Sequence, residues 1–323
     1  MAVATLPSYT LPASKMLSSI TTFVNQLRFK DTLKPNKMVE DFVDNSRVGK
    51  VDSGKGIVFT FKKALQPVSS LSTTSSVLTI TPPSTAQEII TIDTYNFIPL
   101  SVSRTLIADA VPNGSVIDTF LNYLYSLLED TKKFHLFDSL VATLFGWTPT
   151  QATQTIDIDQ IDTSSLTGET LQASLQWNAN EIARVVRKTM NNMGYKSTKY
   201  TDVATTVSAV DKTDLRLIMN DTYETSFLSD AMASLYHSDK VGEMLEGPVK
   251  DVLNSDIFDA NNESDTIGFL IDKDKLALAD YYSLQMSFTD ASTLYTNSFL
   301  HFAYGVGIFA NAVGVKFKAK LLP

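Results

Sequence analysis

"VSSLSTTSSVLTITPPST", residues 68–85, is β-prone and dense in hydroxyl groups, and it lies inside a longer stretch that carries no charge between Lys63 and Glu88. Exposed β-segments normally carry charges or other blocking devices, because an unprotected edge invites pairing with other chains. Working outward, "IVFTFKKAL" (residues 57–65) puts Ile57, Phe59 and Phe61 on one face at the strand period. On the other side "AQEIITIDTYNFIPLSVS" (residues 86–103) resumes β character. Ile90 and Ile92 share one face whereas Tyr95 and Phe97 lie on the other, and the switch near Asp93 predicts a bulge or a strong twist. Two strand-rich limbs joined by a Ser/Thr/Pro connector predict an extended hairpin, which needs something to pack against. A flexible linker is the competing reading. The alternation of Leu78 and Ile80 favours an interface, since apolar alternation is wasted in a linker.

The longest periodic element follows, "SVIDTFLNYLYSLLEDTKKFHLFDSLVATLFGWTP" (residues 115–149). Ile117, Phe120, Leu121, Leu124, Leu127, Leu128, Phe134, Phe137, Val141 and Leu144 recur at helical spacing. Ser115 and Asp118 suit a capping box, and Gly146 with Pro149 supplies the stop. A helix of about 30 residues is ~45 Å long, more than twice the usual length, and predicts a structural spine.

Beyond the spine, "TIDIDQID" alternates like a strand, and residues 169–195 read as a helix with Ile182, Val185, Val186, Met190 and Met193 inward. "DLRLIMND" (residues 214–221) reads as a buried strand, "TYETSFLSDAMASLY" and "DKVGEMLEGPVKDVLN" as short helices, and the last forty residues as apolar strands. The first fifty or so residues, including "VEDFVDNSRV", read as an arm or a loosely attached helix.

Bulk properties narrow the function. The chain has 323 residues, a formal net charge of −8, 44% hydrophobic content and no cysteine. That length buries a substantial core, and the acidic balance argues against nucleic-acid binding through bulk charge. Without cysteine there is no disulfide, thiolate nucleophile or Cys-ligated zinc. The start of the chain makes a poor signal peptide. The apolar run at residues 299–315 is short for a bilayer span and is interrupted by His301, Gly305, Gly307, Asn311 and Gly314, so buried strands fit it better and no membrane partner is expected.

No stretch demands catalysis. "GKVDSGKG" (residues 49–56) approaches the phosphate-binding loop but ends in Gly56, where a hydroxyl would hold the metal ion, and it opens a strand instead of a helix. His135, His237 and His301 lie in no metal-ligand spacing and suit core or interface positions. "DANNESD" (residues 259–265) lacks the glycine and the bidentate glutamate of a calcium loop and reads as a solvated loop. Arg184, Arg187 and Lys188 fall toward a helix C-terminus and suit a solvated or interface face. No catalytic, cofactor-binding or metal-binding residue is assigned, and no cofactor is expected.

Taken in order, the elements run arm, long hairpin, long helix, compact α/β region and terminal strands. In that order, and in the texture of "DLRLIMND" and "SFLHFAYGVGIFANAVGVKF" (residues 298–317), the chain resembles the major capsid protein of tailed bacteriophages, the Hong Kong 97 fold. The resemblance implies an α+β chain: an N-terminal arm at 1–53, an extended β-hairpin or E-loop at 54–97, a peripheral domain at 98–167 with the spine helix at 115–145, an axial domain at 168–282, and return strands of the peripheral domain at 283–323. It also implies a non-enzymatic protein that self-assembles through hexamers and pentamers into an icosahedral head around the genome. Expected partners are further copies of itself, scaffold, portal or decoration proteins, and DNA only through weak non-specific contact. The expected location is the virion, with assembly in the host cytoplasm.

If the hairpin lies across a neighbouring subunit, its edge is occupied in the assembly, and Val68, Leu71, Val77, Leu78 and Ile80 are the expected inter-subunit contacts. Hydroxyls trade water for partner hydrogen bonds at lower cost than charges do. The rival readings are an encapsulin-like nanocompartment shell, another phage structural protein such as a tail component, and a soluble α/β enzyme with an unrecognised site.

Overall fold

The computed structural model describes residues 37–45, 47–50, 57–65, 82–103, 114–223, 249–290, 292 and 295–322. The chain divides into two compact units. One holds residues 1–36, 94–135 and 282–303, and the other holds 37–93, 136–281 and 304–323.

The larger unit is built on a five-stranded sheet. Its strands are β5 (Thr155–Gln160), β6 (Leu215–Asn220), β7 (Val249–Leu253), β8 (Thr266–Asp272) and β11 (Gly314–Leu321), in the order β5-β11-β8-β6-β7. β11 runs parallel to β5 and antiparallel to β8, while β6 runs antiparallel to β8 and parallel to β7. Every residue of β6 is buried, which fits a central strand covered on both faces. Helix α3 (Gly168–Met193) lays Ile182, Val186, Met190 and Met193 on one face, where Leu215, Leu217, Met219, Leu270, Val315 and Phe317 meet them. The opposite face takes aromatic packing: Phe269 meets Phe145 edge-on at 5.4 Å, and Phe145 meets Phe258 at 4.9 Å. Phe258 comes from the short helix α4 (Ser255–Ala260), which Asn254 caps by accepting from the Asp256 amide at 3.0 Å. Gly268 is required by close approach, because a Cβ there would lie 2.4 Å from the Ile218 carbonyl oxygen.

Helix α1 (Lys37–Asn45) and strand β1 (Arg47–Lys50) correct the expectation of a loosely attached segment. Phe42 is fully buried, stands edge-on to Phe137 at 5.4 Å and receives the Arg216 guanidinium over its ring at 4.1 Å. β1 pairs parallel with β9 (Leu276–Thr289) from Ala277 to Asp280. The short period of Val39, Phe42 and Val43 looks like an isolated amphipathic turn because the strands it packs on lie far along the chain.

β2 (Ile57–Lys62) and β3 (Thr85–Ile90) form the antiparallel hairpin limbs, in register from Ile57↔Ile90 to Lys62↔Thr85. The side chains of Phe59 and Phe61 lie outside those described. At the expected face switch, residues 91–93 leave the strand entirely and β4 (Thr94–Ser103) begins after them, so the change of face is a break and not a bulge. Thr91 passes close to β10 (Tyr295–Ile308), where a Cβ on Gly305 would lie 2.1 Å from its carbonyl oxygen.

Helix α2 (Gly114–Phe145) is the spine, 32 residues and ~48 Å at helical rise. Gly114 is already helical, which places Ser115 inside the first turn and not at the cap. Leu128, Phe137, Val141 and Leu144 are buried as expected, joined by Leu136 and Leu140, whereas Phe134 is exposed. The side chains of Ile117, Phe120, Leu121 and Leu124 lie outside those described. The helix expected over "DKVGEMLEGPVKDVLN" is corrected at its end, where residues 249–253 are strand β7. The β-branched Val249 and Val252 are strand formers, and β6 offers a paired edge that overrides local helix propensity. "TYETSFLSDAMASLY" lies outside the described residues beyond its start.

Candidate assembly surface

The base of the hairpin, at the borders of the uncharged stretch, is anchored. At its base the Lys63 amide donates to the Ser84 carbonyl at 2.9 Å, and the Lys63 carbonyl accepts from the Val207 amide at 2.9 Å. Glu88, which ends the stretch, accepts from the Asn311 amide at 3.0 Å and from its side chain. Ile90, Ala277, Ala279, Phe309 and Ala312 form a small core beneath, with Ile57 and Ile92 against it. The outer face of the same limbs shows Val58 and Ile89, a cross-strand pair with each side chain more than half exposed. The expected contact residues Val68, Leu71, Val77, Leu78 and Ile80 lie outside the described residues.

A second uncharged surface was not singled out from the sequence. In the smaller unit, β4 and the ends of β9 and β10 belong to a sheet of order β1-β9-β10-β4. Leu300 and Phe302 of β10 are buried on the face toward α2, where the His135 ring meets Phe302 at 5.8 Å and pairs with Asn96 at 2.9 Å. The opposite face is open. Phe288 stacks on Phe299 at 5.7 Å, Phe299 meets Phe97 at 6.0 Å, and His301 meets Phe97 at 5.7 Å. Phe97 is 58% exposed, Phe288 57% and Met286 56%, in a face where aromatic stacking continues from strand to strand. Residues 94–103, 281–289 and 295–308 contain no Asp, Glu, Lys or Arg. That absence is the signal in the sequence, because apolar side chains on strands read as core until a missing layer shows them open.

The buried charges of the larger unit are paired. Arg216, 2% exposed, pairs with Asp251 and donates to the Phe42 carbonyl. Lys275, 1% exposed, donates to Asp202 at 2.6 Å and to the Ala312 carbonyl at 3.0 Å, and lies 4.6 Å over the Trp147 ring. Burial pushes the Lys275 ammonium down from its usual range, with Asp202 opposing the shift. Asp202 also accepts from the Trp147 indole at 3.1 Å and from Gln154 at 2.8 Å, so its lone pairs are committed to holding structure.

The loop at residues 259–265 is exposed as expected except at the half-buried Glu263, and its end is tied down: Glu263 pairs with Lys316 and accepts from Thr266 at 2.6 Å, and Asp265 pairs with Lys318 at 3.0 Å. Burial raises the Glu263 carboxyl, but hydrogen bonds from Lys316 and Thr266 and the two lysine charges outweigh it and hold it below the usual range. Arg184 pairs with Glu181 on the exposed side of α3. His237 lies outside the described residues, and His135 and His301 stand among aromatic rings. Among the described residues no group of three or more His, Asp or Glu could hold a metal ion, and no helix is long and apolar enough to cross a membrane.

The family model of the Phi29-like phage major capsid protein matches residues 59–315. The chain belongs to that family. Its solved structural neighbours agree on the fold. The capsid of Staphylococcus phage Andhra matches with a TM-score of 0.59 at 9% identity, over 98% of this chain and 90% of that one. The capsid of cyanophage P-SCSP1u matches at 0.56 and 14% identity, over 87% and 88%. The capsid asymmetric unit of cyanophage Pam1 matches at 0.56 and 10% identity, over 98% and 99%. No curated protein matches the sequence. The mixed helix and sheet architecture is of the Hong Kong 97 type, and the protein is a structural component of the phage capsid, working in the virion head as many copies in a shell and not as an enzyme.

Proposed function

We propose that this chain forms hexamers and pentamers that close into an icosahedral head around the genome, each copy laying its uncharged hairpin across a neighbour. The observation that carries this reading is the anchored base of the hairpin: Glu88 and the Lys63 backbone tie it to the core on either side of a segment whose sequence carries no charge. Val68, Leu71, Val77, Leu78 and Ile80 supply the apolar contact, and the hydroxyls around them exchange water for partner hydrogen bonds. A few hundred Å² of such burial contributes several kcal/mol per contact at ~25 cal/mol per Å², before ordering costs. Contacts between different patches, repeated with closed symmetry, give a finite shell.

In this scheme residues 1–53 act as the arm, 54–97 as the extended loop, 98–167 and 283–323 as the peripheral domain, and 168–282 as the axial domain. Assembly takes place in the host cytoplasm, where scaffold, portal or decoration proteins join the shell. DNA is touched weakly and without sequence preference, in keeping with a net charge of −8. Electron microscopy of the purified protein tests the proposal. Closed shells, hexamers or pentamers are expected, and a monodisperse compact monomer at high concentration would refute it.

A further inference from the structure

The larger unit pairs its buried charges, yet one exposed face of it carries cations without partners. From Ile182 to Thr201 the sequence holds five basic residues and no acidic one, in a chain whose acids outnumber its bases 35 to 27. On α3, Arg184, Arg187, Lys188, Asn191 and Asn192 are all exposed and fall in one sector of the helix, opposite the buried Ile182, Val186, Met190 and Met193. Lys196 and Lys199 continue the run on a loop whose backbone is fixed. Ser197 and Ser208 exchange amide-to-carbonyl bonds at 2.9 and 2.8 Å, and the Thr153 hydroxyl donates to the Lys199 carbonyl at 2.6 Å. Glu181 neutralises Arg184. Among the described residues, no carboxylate forms an ion pair with Arg187, Lys188, Lys196 or Lys199. Complementing the helix dipole would account for cations in the last turn, but the last turn of α3 has no basic residue.

We propose that this face binds the phosphate backbone of double-stranded DNA through Arg187, Lys188, Lys196 and Lys199. The inference rests on the genome-enclosing role above and assigns its weak DNA contact to named residues. Two observations choose DNA over an acidic protein. Three of the four unpaired cations are lysines, a residue depleted from protein–protein interfaces, which favour apolar and aromatic anchors. Between the cations stand Asn191, Asn192 and Thr198, all exposed, with amide and hydroxyl groups of the kind that donate to phosphate and sugar oxygens. The net charge of −8 does not oppose the contact, because salt screens charges more than ~10 Å away and this run contains no carboxylate. Four phosphate contacts release about four counterions, which gives weak, salt-sensitive binding without sequence preference.

Fluorescence anisotropy of a labelled duplex of about 20 base pairs, titrated with dissociated subunits of the full chain at about 20 mM salt, tests this. Binding is expected to weaken at least ~30-fold when salt is raised about fourfold, and to be equal for duplexes of unrelated sequence. Lys188→Ala with Lys199→Ala is expected to weaken binding at least ~10-fold. Lys62→Ala with Lys320→Ala makes the same change in net charge at two exposed positions elsewhere, and is expected to leave binding within about twofold. All four positions are exposed, so the melting temperatures of both variants should match the wild type. Equal weakening by the two variants would overturn the inference in favour of bulk charge, leaving the shell-forming role and a weak DNA contact standing. Tighter binding of wild-type subunits to polyglutamate than to the duplex would overturn it too, and would assign the face to an acidic protein. A wild type that does not bind the duplex at all would overturn both this inference and the DNA contact proposed above, while closed shells in the microscope would still support the shell.

Discussion

The larger unit and the strands of the smaller unit treat charge in opposite ways. In the larger unit, Arg216, Lys275 and Lys316 are buried, and each is matched by a carboxylate. In the smaller unit the strands are open to solvent on one face, yet they carry no formal charge. A solitary soluble domain normally shows the reverse, with apolar residues inside and charges outside. The difference teaches what each surface is built to meet. Buried charge with a fixed partner tolerates only one arrangement, which suits a rigid body, whereas an open face without charge avoids the desolvation cost of being covered by another molecule.

The comparison breaks most easily at Arg216. Arg216→Ala leaves Asp251 buried without its partner and withdraws the cation from the Phe42 ring, and is expected to cost ~3–5 kcal/mol in equilibrium denaturation. Replacing both members, as Arg216→Met with Asp251→Leu, is expected to recover most of that loss, since no uncompensated charge remains. Next is Gly268→Ala. Its Cβ would press on the backbone of β6, and calorimetry of the free subunit is expected to show a loss of ~1–3 kcal/mol.

Glu263 sharpens the comparison through pH. Its carboxyl is held below the usual value of 4.5, so the folded state contributes stability that is complete above 4.5 and is lost as pH falls through the folded value. Glu263→Gln is therefore expected to destabilise by roughly 1 kcal/mol at pH 7, and denaturation midpoints for the two proteins should draw together as the pH falls below 4.5. The smallest effect on folding is expected at Phe97→Ala, within about 0.5 kcal/mol for the free subunit, because Phe97 is more than half exposed. The same variant should nevertheless form fewer shells by light scattering. A large folding defect there would mean that the face is core and not contact surface.

Legibility in the sequence followed locality. The spine helix, the buried strand at 215–220, the helix at 168–193 and the hairpin limbs were readable because each declares itself within a few turns or one alternating run. α1 and β7 were misread because their partners are remote: Phe42 is held by Phe137 and Arg216, and Val249 pairs with Arg216 across a long stretch of chain. Arg216 looked like one polar letter inside "DLRLIMND", and nothing local shows that Asp251 satisfies it. The aromatic face was hidden for a related reason. Tyr95, Phe97, Met286 and Phe288 carry the same letters as a core, and only the absence of charge along three separate strands distinguishes them.

Hydroxyl-radical footprinting addresses the contrast most directly, by measuring oxidation of Tyr95, Phe97, Met286 and Phe288 in dissociated subunits and in assembled shells. At least ~10-fold slower oxidation in shells, with rates at the already buried Phe269 and Phe317 unchanged, is the expected result. Equal oxidation of the four side chains in both states would contradict the claim that this uncharged face exists to be covered.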